Sequence, residues 1–142
     1  MRILAQIRAV WRRWWKPLTL GQRGERAAAR FLKKAGYILI AVSQRDKIGE
    51  IDIIAVDGRT VVFVEVKTRR LGQLDTPAEA VTREKQGKLT RLALGFLRRN
   101  ELLEQPARFD VIAVSWPEDA REPQIQHLPN AFPAIGSGQM FS

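Results

Sequence analysis

Three residues of this chain have types and spacing suited to chemistry: Asp52, Glu65 and Lys67. They lie in one stretch, Gly49 to Lys67, which reads GEIDIIAVDGRTVVFVEVK. Two apolar, β-branched runs, Ile51–Val56 and Val61–Val66, flank Asp57-Gly58-Arg59-Thr60. Asp-Gly between such runs signals a β-hairpin with a tight I′ turn, which needs positive φ at both central residues. A turn at Gly58 sets Asp52 opposite Glu65, with Cβ atoms about 5 Å apart if the two share a face. Lys67, two residues beyond Glu65, points to the same face. Carboxylates that close repel each other unless a cation sits between them. Two carboxylates and an ammonium on one face can hold a hard divalent metal and act on a phosphate. A cross-strand salt bridge between Asp52 and Lys67 is the plainer alternative, but it leaves Glu65 without a partner. Glu50 reads as a solvated strand end rather than a ligand.

The flanking elements must hold that hairpin. Upstream, Gln22 to Ala35 predicts a helix with Ala27, Ala28, Phe31, Leu32 and Ala35 on its apolar stripe and Gly36 as its C-terminal cap. Glu25, the one acid on this helix, lies in its first turn. There it either interacts favourably with the helix dipole or reaches into the acidic cluster. Tyr37–Val42 predicts a strand, and a polar stretch leads from it into the hairpin. Downstream, Thr76-Pro77-Ala78-Glu79 has the form of a helix start, and Leu89, Leu92, Ala93, Phe96 and Leu97 mark the buried face of a helix reaching about Arg99. Lys85 on it reads first as a solvated helix residue. Ala107–Ser115 predicts a further strand, in which Asp110 reads as a structural hydrogen-bond acceptor. Gln124–Leu128 predicts a short edge strand, and the lone histidine, His127, reads as a surface residue. Residues 133–142 read as a flexible tail. The expected fold is α/β, a mixed sheet flanked by helices in the order α-β-β-β-α-β plus the short edge strand, occupying 19–132.

Charge is concentrated at the front. Residues 1–36 hold ten basic residues against one acid, a surplus of nine, which equals the net charge of the whole chain. This points to an anionic partner, nucleic acid or a membrane surface. Residues 1–18 form a basic, Trp-rich amphipathic extension. Three roles fit it: a helix docked on the domain or on a partner chain, a membrane-interface helix, or a nucleic-acid contact. With no cysteine, disulfides and thiolate metal sites are excluded. That fits a reducing compartment, and a cytoplasmic protein is the expectation. No apolar run approaches the length of a transmembrane helix, and no secretory signal is expected.

GERAAARFLKKAGY, GEIDIIAVDG, VVFVEVKTR, AVTREKQGKL and RFDVI together resemble the YraN-like family of uncharacterised bacterial proteins, from about Gly21 to Phe132. That family is assigned to the restriction-endonuclease-like fold, whose superfamily carries the PD-(D/E)xK signature and includes archaeal Holliday-junction resolvases. The resemblance implies a nuclease-like protein that binds nucleic acid and hydrolyses phosphodiesters, in branched or damaged DNA. It implies Asp52 as the motif aspartate, Glu65 and Lys67 as the (D/E)xK pair, and Glu25 as an added helix glutamate. Mg²⁺ or Mn²⁺ would then be held by Glu25, Asp52, Glu65 and the carbonyl of Val66. Arg23, Arg26, Arg45, Lys47, Arg69, Arg70 and Lys85 would contact nucleic acid, and a homodimer would suit a two-fold substrate. Two departures stand out: Ile51 replaces the motif proline, and Ser43-Gln44-Arg45 stands where an asparagine is expected nearby. A nucleic-acid-binding module with an unused site, and an adaptor docked on a membrane or partner through residues 1–18, are the rival functions.

Overall fold

A computed structural model describes residues 2–14, 16–70 and 81–136. Its elements are α1 (Arg2–Trp14), α2 (Leu20–Lys34), β1 (Ile38–Arg45), β2 (Glu50–Asp57), β3 (Thr60–Arg70), α3 (Arg83–Arg99), β4 (Ala107–Trp116) and β5 (Gln124–Phe132). The five strands form one sheet in the order β1-β2-β3-β4-β5. All neighbours are antiparallel except β3 and β4, which α3 joins as a parallel pair. This is the mixed, helix-flanked sheet of a restriction-endonuclease-like core. The edge strand β5 spans nine residues, longer than the predicted five, because its pairing continues past Pro129 to Phe132.

Two apolar layers sandwich the sheet. On one face Leu89, Leu92, Ala93, Phe96 and Leu97 of α3 pack on Ile51, Ile54, Val61, Phe63 and Phe109. On the other, Ala27, Ala28 and Leu32 of α2 pack on Ile53, Ala55, Val62, Val64, Ile112 and Val114. β3 alternates cleanly between these layers, so the two faces of one strand feed two cores. In β2 the alternation slips. Ile51 and Ile54, three residues apart, share the α3 layer, while Ile53 and Ala55 face α2. The slip falls at Asp52.

Local chemistry sets the helix ends. Thr19 caps α2 in a capping box: its hydroxyl accepts from the Gln22 amide at 3.2 Å, and the Gln22 side chain accepts from the Thr19 amide at 2.9 Å. The helix therefore starts two residues earlier than its apolar stripe suggests. It ends in a Schellman turn, with Gly36 at φ 96° and the Tyr37 amide bonded to the Leu32 carbonyl at 3.0 Å. The predicted helix start at Thr76 lies outside the described residues. The described helix begins at Arg83, capped by Thr82, whose hydroxyl accepts from the Lys85 amide at 3.2 Å. The hairpin closes on the pair Asp57↔Thr60 with Gly58 at φ 62°, and Arg59 does not share that positive φ. Glycine at the first central position alone is the II′ pattern, not the I′ turn predicted. The register survives, because both turns are two-residue loops.

α1 does not bury its apolar stripe on the domain: Ile3, Leu4, Ile7, Val10 and Trp11 are 48–69% exposed. Among the described residues no helix is long and apolar enough to cross a membrane. The C-terminal segment is held as far as Ile135, whose amide donates to the buried Thr90 hydroxyl at 3.1 Å. Residues 137–142 lie outside the described residues.

On the α2 face, a polar cluster clamps the sheet. Asp110 is fully buried and accepts from Arg108 Nε (2.9 Å) and from the Asn130 amide (2.9 Å), and its other oxygen meets His127 Nε2 (2.8 Å). Arg108 also reaches Asp57 (3.1 Å) and the Tyr37 hydroxyl (2.9 Å). Asp110 is the structural acceptor expected. His127 is not the surface residue expected: its side chain is 15% exposed and packs edge-on against Phe31 and Tyr37. Removing one member of such a cluster strands the others. Asp110→Ala should therefore lower folding stability by about 3–5 kcal/mol, read as a drop in the urea midpoint at unchanged slope.

Candidate metal centre

The site forms where β2 and β3 part. Regular pairing of the two strands runs from Asp57↔Thr60 to Ile53↔Val64. Beyond that, the Asp52 carboxylate accepts the Val66 amide at 2.8 Å. A side chain thus replaces a ladder bond, and Asp52 is drawn into the plane of the sheet at the point where the alternation slips. A strand residue's N–H and C=O point to the same side, so the Val66 carbonyl also faces the β2 side.

From that in-plane position Asp52 meets groups from both layers. α2 supplies Glu25. Carboxylate oxygens of Glu25, Glu50 and Asp52 all lie within 4.8 Å of one another. The α3 face supplies Glu65, which is 4% exposed and follows Phe63 in the alternation of β3. Its Oε1 lies 2.5 Å from Lys85 Nζ on α3 and 3.6 Å from Lys67 Nζ. Burial, and then the like charge of Glu65, push the Asp52 carboxyl up to about 7, against which the Val66 amide works. Burial pulls the Lys85 ammonium down, but its hydrogen bond and attraction to Glu65 outweigh this and leave it above its usual value.

Gly24 lets Glu25 reach the site. A Cβ at Gly24 would stand 1.8 Å from Thr68 Oγ1 and 2.9 Å from Thr68 Cβ. Only a glycine allows α2 to approach β3 this closely. Ser43 of β1 then fixes Glu25, its hydroxyl donating to Oε2 at 2.9 Å. Ser43 falls between the pairs Val42↔Ile53 and Gln44↔Ile51, which sets it opposite Asp52. It adopts φ 56°, a left-handed conformation costing a serine about 1–2 kcal/mol. Asparagine tolerates that conformation better, which gives a physical reason for the asparagine expected nearby.

The sequence brings four of the expected side chains, Glu25, Asp52, Glu65 and Lys67, to one place, and adds Lys85 as the partner of Glu65. Glu50, read as a solvated strand end, instead completes the three-carboxylate group. It also takes an ion pair from Arg45 at 2.8 Å. Its signal was present, since it sits two residues before Asp52 on the same strand. Of the other basic residues, Arg23 stacks on Trp116 with its guanidinium 4.7 Å from the ring centre. Arg26 and Lys47 are exposed, Arg69 is half-buried, and the side chain of Arg70 lies outside the described residues.

The donor set fits a hard divalent cation: oxygen only, with excess negative charge and no thiolate or imidazole close by. Two oxygens on one Mg²⁺ can stand no more than about 4.2 Å apart. The observed spread therefore needs only small side-chain rotations.

Comparison with known proteins gives the family of the chain. The profile of the family described as "Uncharacterised protein family UPF0102" matches residues 24–114, from the close-packed glycine of α2 into β4. The chain belongs to family UPF0102. Similar UPF0102 proteins occur in Symbiobacterium thermophilum, 49% identical over 81% of this chain and 97% of that one. In Rhodopirellula baltica the identity is 47%, over 82% of this chain and 72% of the relative. In Geobacter metallireducens it is 44%, over 80% and 92%. The profile contains every carboxylate and lysine of the centre, whereas α1 lies outside it.

Two outcomes are expected of this UPF0102 chain. Gly24→Ala should cost about 1–3 kcal/mol, as overpacking does, with partial recovery on adding Thr68→Ala, read by thermal melts. The second concerns pH. A carboxyl raised in the folded state binds its proton more tightly there, so stability falls as pH rises from about 4 to about 7. The slope reaches at most about 1.4 kcal/mol per pH unit. Metal-free wild type should lose melting temperature across that window relative to Asp52→Asn, and added Mg²⁺ should close the gap at pH 7.

Proposed function

We propose that this UPF0102 chain is a divalent-metal-dependent nuclease that hydrolyses phosphodiesters in nucleic acid, with branched or damaged DNA as its substrate class. The observation that carries the reading is the convergence of Glu25 from α2 with Glu50 and Asp52 from β2, beside a lysine-bearing strand. Glu25, Glu50 and Asp52 would hold Mg²⁺ or Mn²⁺, with the Val66 carbonyl beside them. A cation there supplies Lewis acidity and neutralises charge building on the phosphate. Lys67 stands 3.6 Å from Glu65, with its side chain partly exposed. From there its ammonium steadies the developing phosphate charge. Lys85, at 2.5 Å, holds Glu65 in place, so that the repulsion of Glu65 on Asp52 is constant. Arg23, Arg26 and Lys47, all exposed, provide salt-sensitive contacts to the phosphate backbone beyond the carboxylates.

One observation favours a second reading, a nucleic-acid-binding module whose site is idle. Glu65 already carries two ammonium partners and is less available as a ligand. Cleavage of branched, nicked and single-stranded DNA in Mg²⁺ or Mn²⁺ separates the two. Lys67→Ala should lower the rate about 10²–10³-fold and Asp52→Asn should abolish it, each with unchanged DNA binding in EDTA. Salt-dependent binding without cleavage of any of these substrates would assign the second reading.

A further inference from the structure

A groove of about 750 Å³ runs along the outer side of α2, away from the carboxylates. The helix contributes Arg23, Arg26, Arg30 and Lys33 to it. Their spacing of three, four and three residues places them in one stripe, opposite the buried Ala27, Ala28 and Leu32. The stripe spans about 15 Å of helix. Arg121 adds a fifth cation, while Glu122 is the one acid among the lining residues. At one end Trp116 carries the Arg23 guanidinium on its ring at 4.7 Å, a flat aromatic and cationic platform. None of these groups takes part in the metal centre, and the three-carboxylate group does not require them.

We infer that this groove holds an unpaired strand of nucleic acid that leaves the duplex next to the metal centre. The inference rests on the proposed nuclease reading and names its substrate more closely: a duplex carrying a single-stranded tail or flap. Three features select that ligand. The row of cations follows a polyanion over several phosphates. The Arg23–Trp116 stack offers a plane to a base face, and only unpaired bases expose their faces along a strand. Arg26 and Glu25 are consecutive on α2, so a strand can pass from the carboxylates around the helix into the groove. A paired duplex would use the cations but not the platform.

The test measures equilibrium binding of the full chain in EDTA by fluorescence anisotropy. The probes are a blunt DNA duplex, the same duplex with a six-nucleotide DNA tail, and the duplex with an RNA tail. The tailed duplexes should bind roughly ten-fold tighter than the blunt one. Arg30→Ser/Lys33→Ser, two exposed positions, should erase most of that preference and reduce the salt slope by about 1.4. Trp116→Leu should erase the preference with little change in slope. Tailed and blunt probes bound equally, or a preference untouched by both variants, would overturn the inference. So would loss of binding to anionic phospholipid vesicles in the double variant without any tail preference, since the groove would then serve a membrane. Cleavage in Mg²⁺ is scored separately. Intact cleavage with no tail preference removes the groove and leaves the nuclease. Tail preference without cleavage supports the groove and removes the nuclease.

Discussion

The hydrogen bond from the Val66 amide to the Asp52 carboxylate organises everything around it. Side chains on a pleated strand normally stand perpendicular to the sheet and belong to one face. A carboxylate that accepts a backbone N–H from the neighbouring strand must instead lie within the sheet. That is possible because β2 loses its alternation at this residue, with Ile51 and Ile54 sharing one core and Ile53 and Ala55 the other. Lying in the plane, Asp52 can face Glu25 from the α2 layer and Glu65 from the α3 layer at once. Burial first, and then the same exposure to both acids, raises its proton affinity to near neutrality. The centre is therefore a joint between two layers rather than a feature of either face.

Close approach completes that joint. The 1.8 Å between an ideal Gly24 Cβ and the Thr68 hydroxyl means that α2 sits nearer to β3 than any other residue would allow. Glu25, the next residue, gains its reach from this absence of a side chain. The α3 side works by charge instead, with Lys85 seated on Glu65. Away from the site, Asp110, Arg108, Tyr37 and His127 bind β1, β4 and β5 together over the α2 face. That cluster stiffens the sheet without touching the carboxylates.

Much of this was legible in the sequence. Two apolar runs around Asp-Gly fix a two-residue loop, and the loop fixes which carboxylates face each other, whichever turn type forms. The layers followed from helical spacing in Ala27–Leu32 and Leu89–Leu97. What stayed hidden depends on departures from regular periods. Nothing in GEID announces that the strand slips at Asp52, and although alternation puts Glu50 on the side of Asp52, its place at the strand end made it look solvated. The capping box of α2 lay in plain polar residues, Thr19 and Gln22, just ahead of the apolar stripe. His127 was misplaced because a single polar residue on a weakly alternating strand gives no sign of a partner such as Asp110, which lies seventeen positions earlier.

The salt bridge between Arg45 and Glu50 has a further consequence when the local ions are counted together. Glu25, Glu50, Asp52 and Glu65 carry four negative charges when ionised, and Arg45, Lys67 and Lys85 carry three positive ones. The vicinity is then left one electron charge short of neutral and turns away a phosphate. A divalent ion would reverse the sign of that balance. On the proposed reading the outlying cations gather the polyanion with or without the ion, but its scissile phosphate settles at the carboxylates only after the ion, so electrostatics alone imposes an order of arrival there.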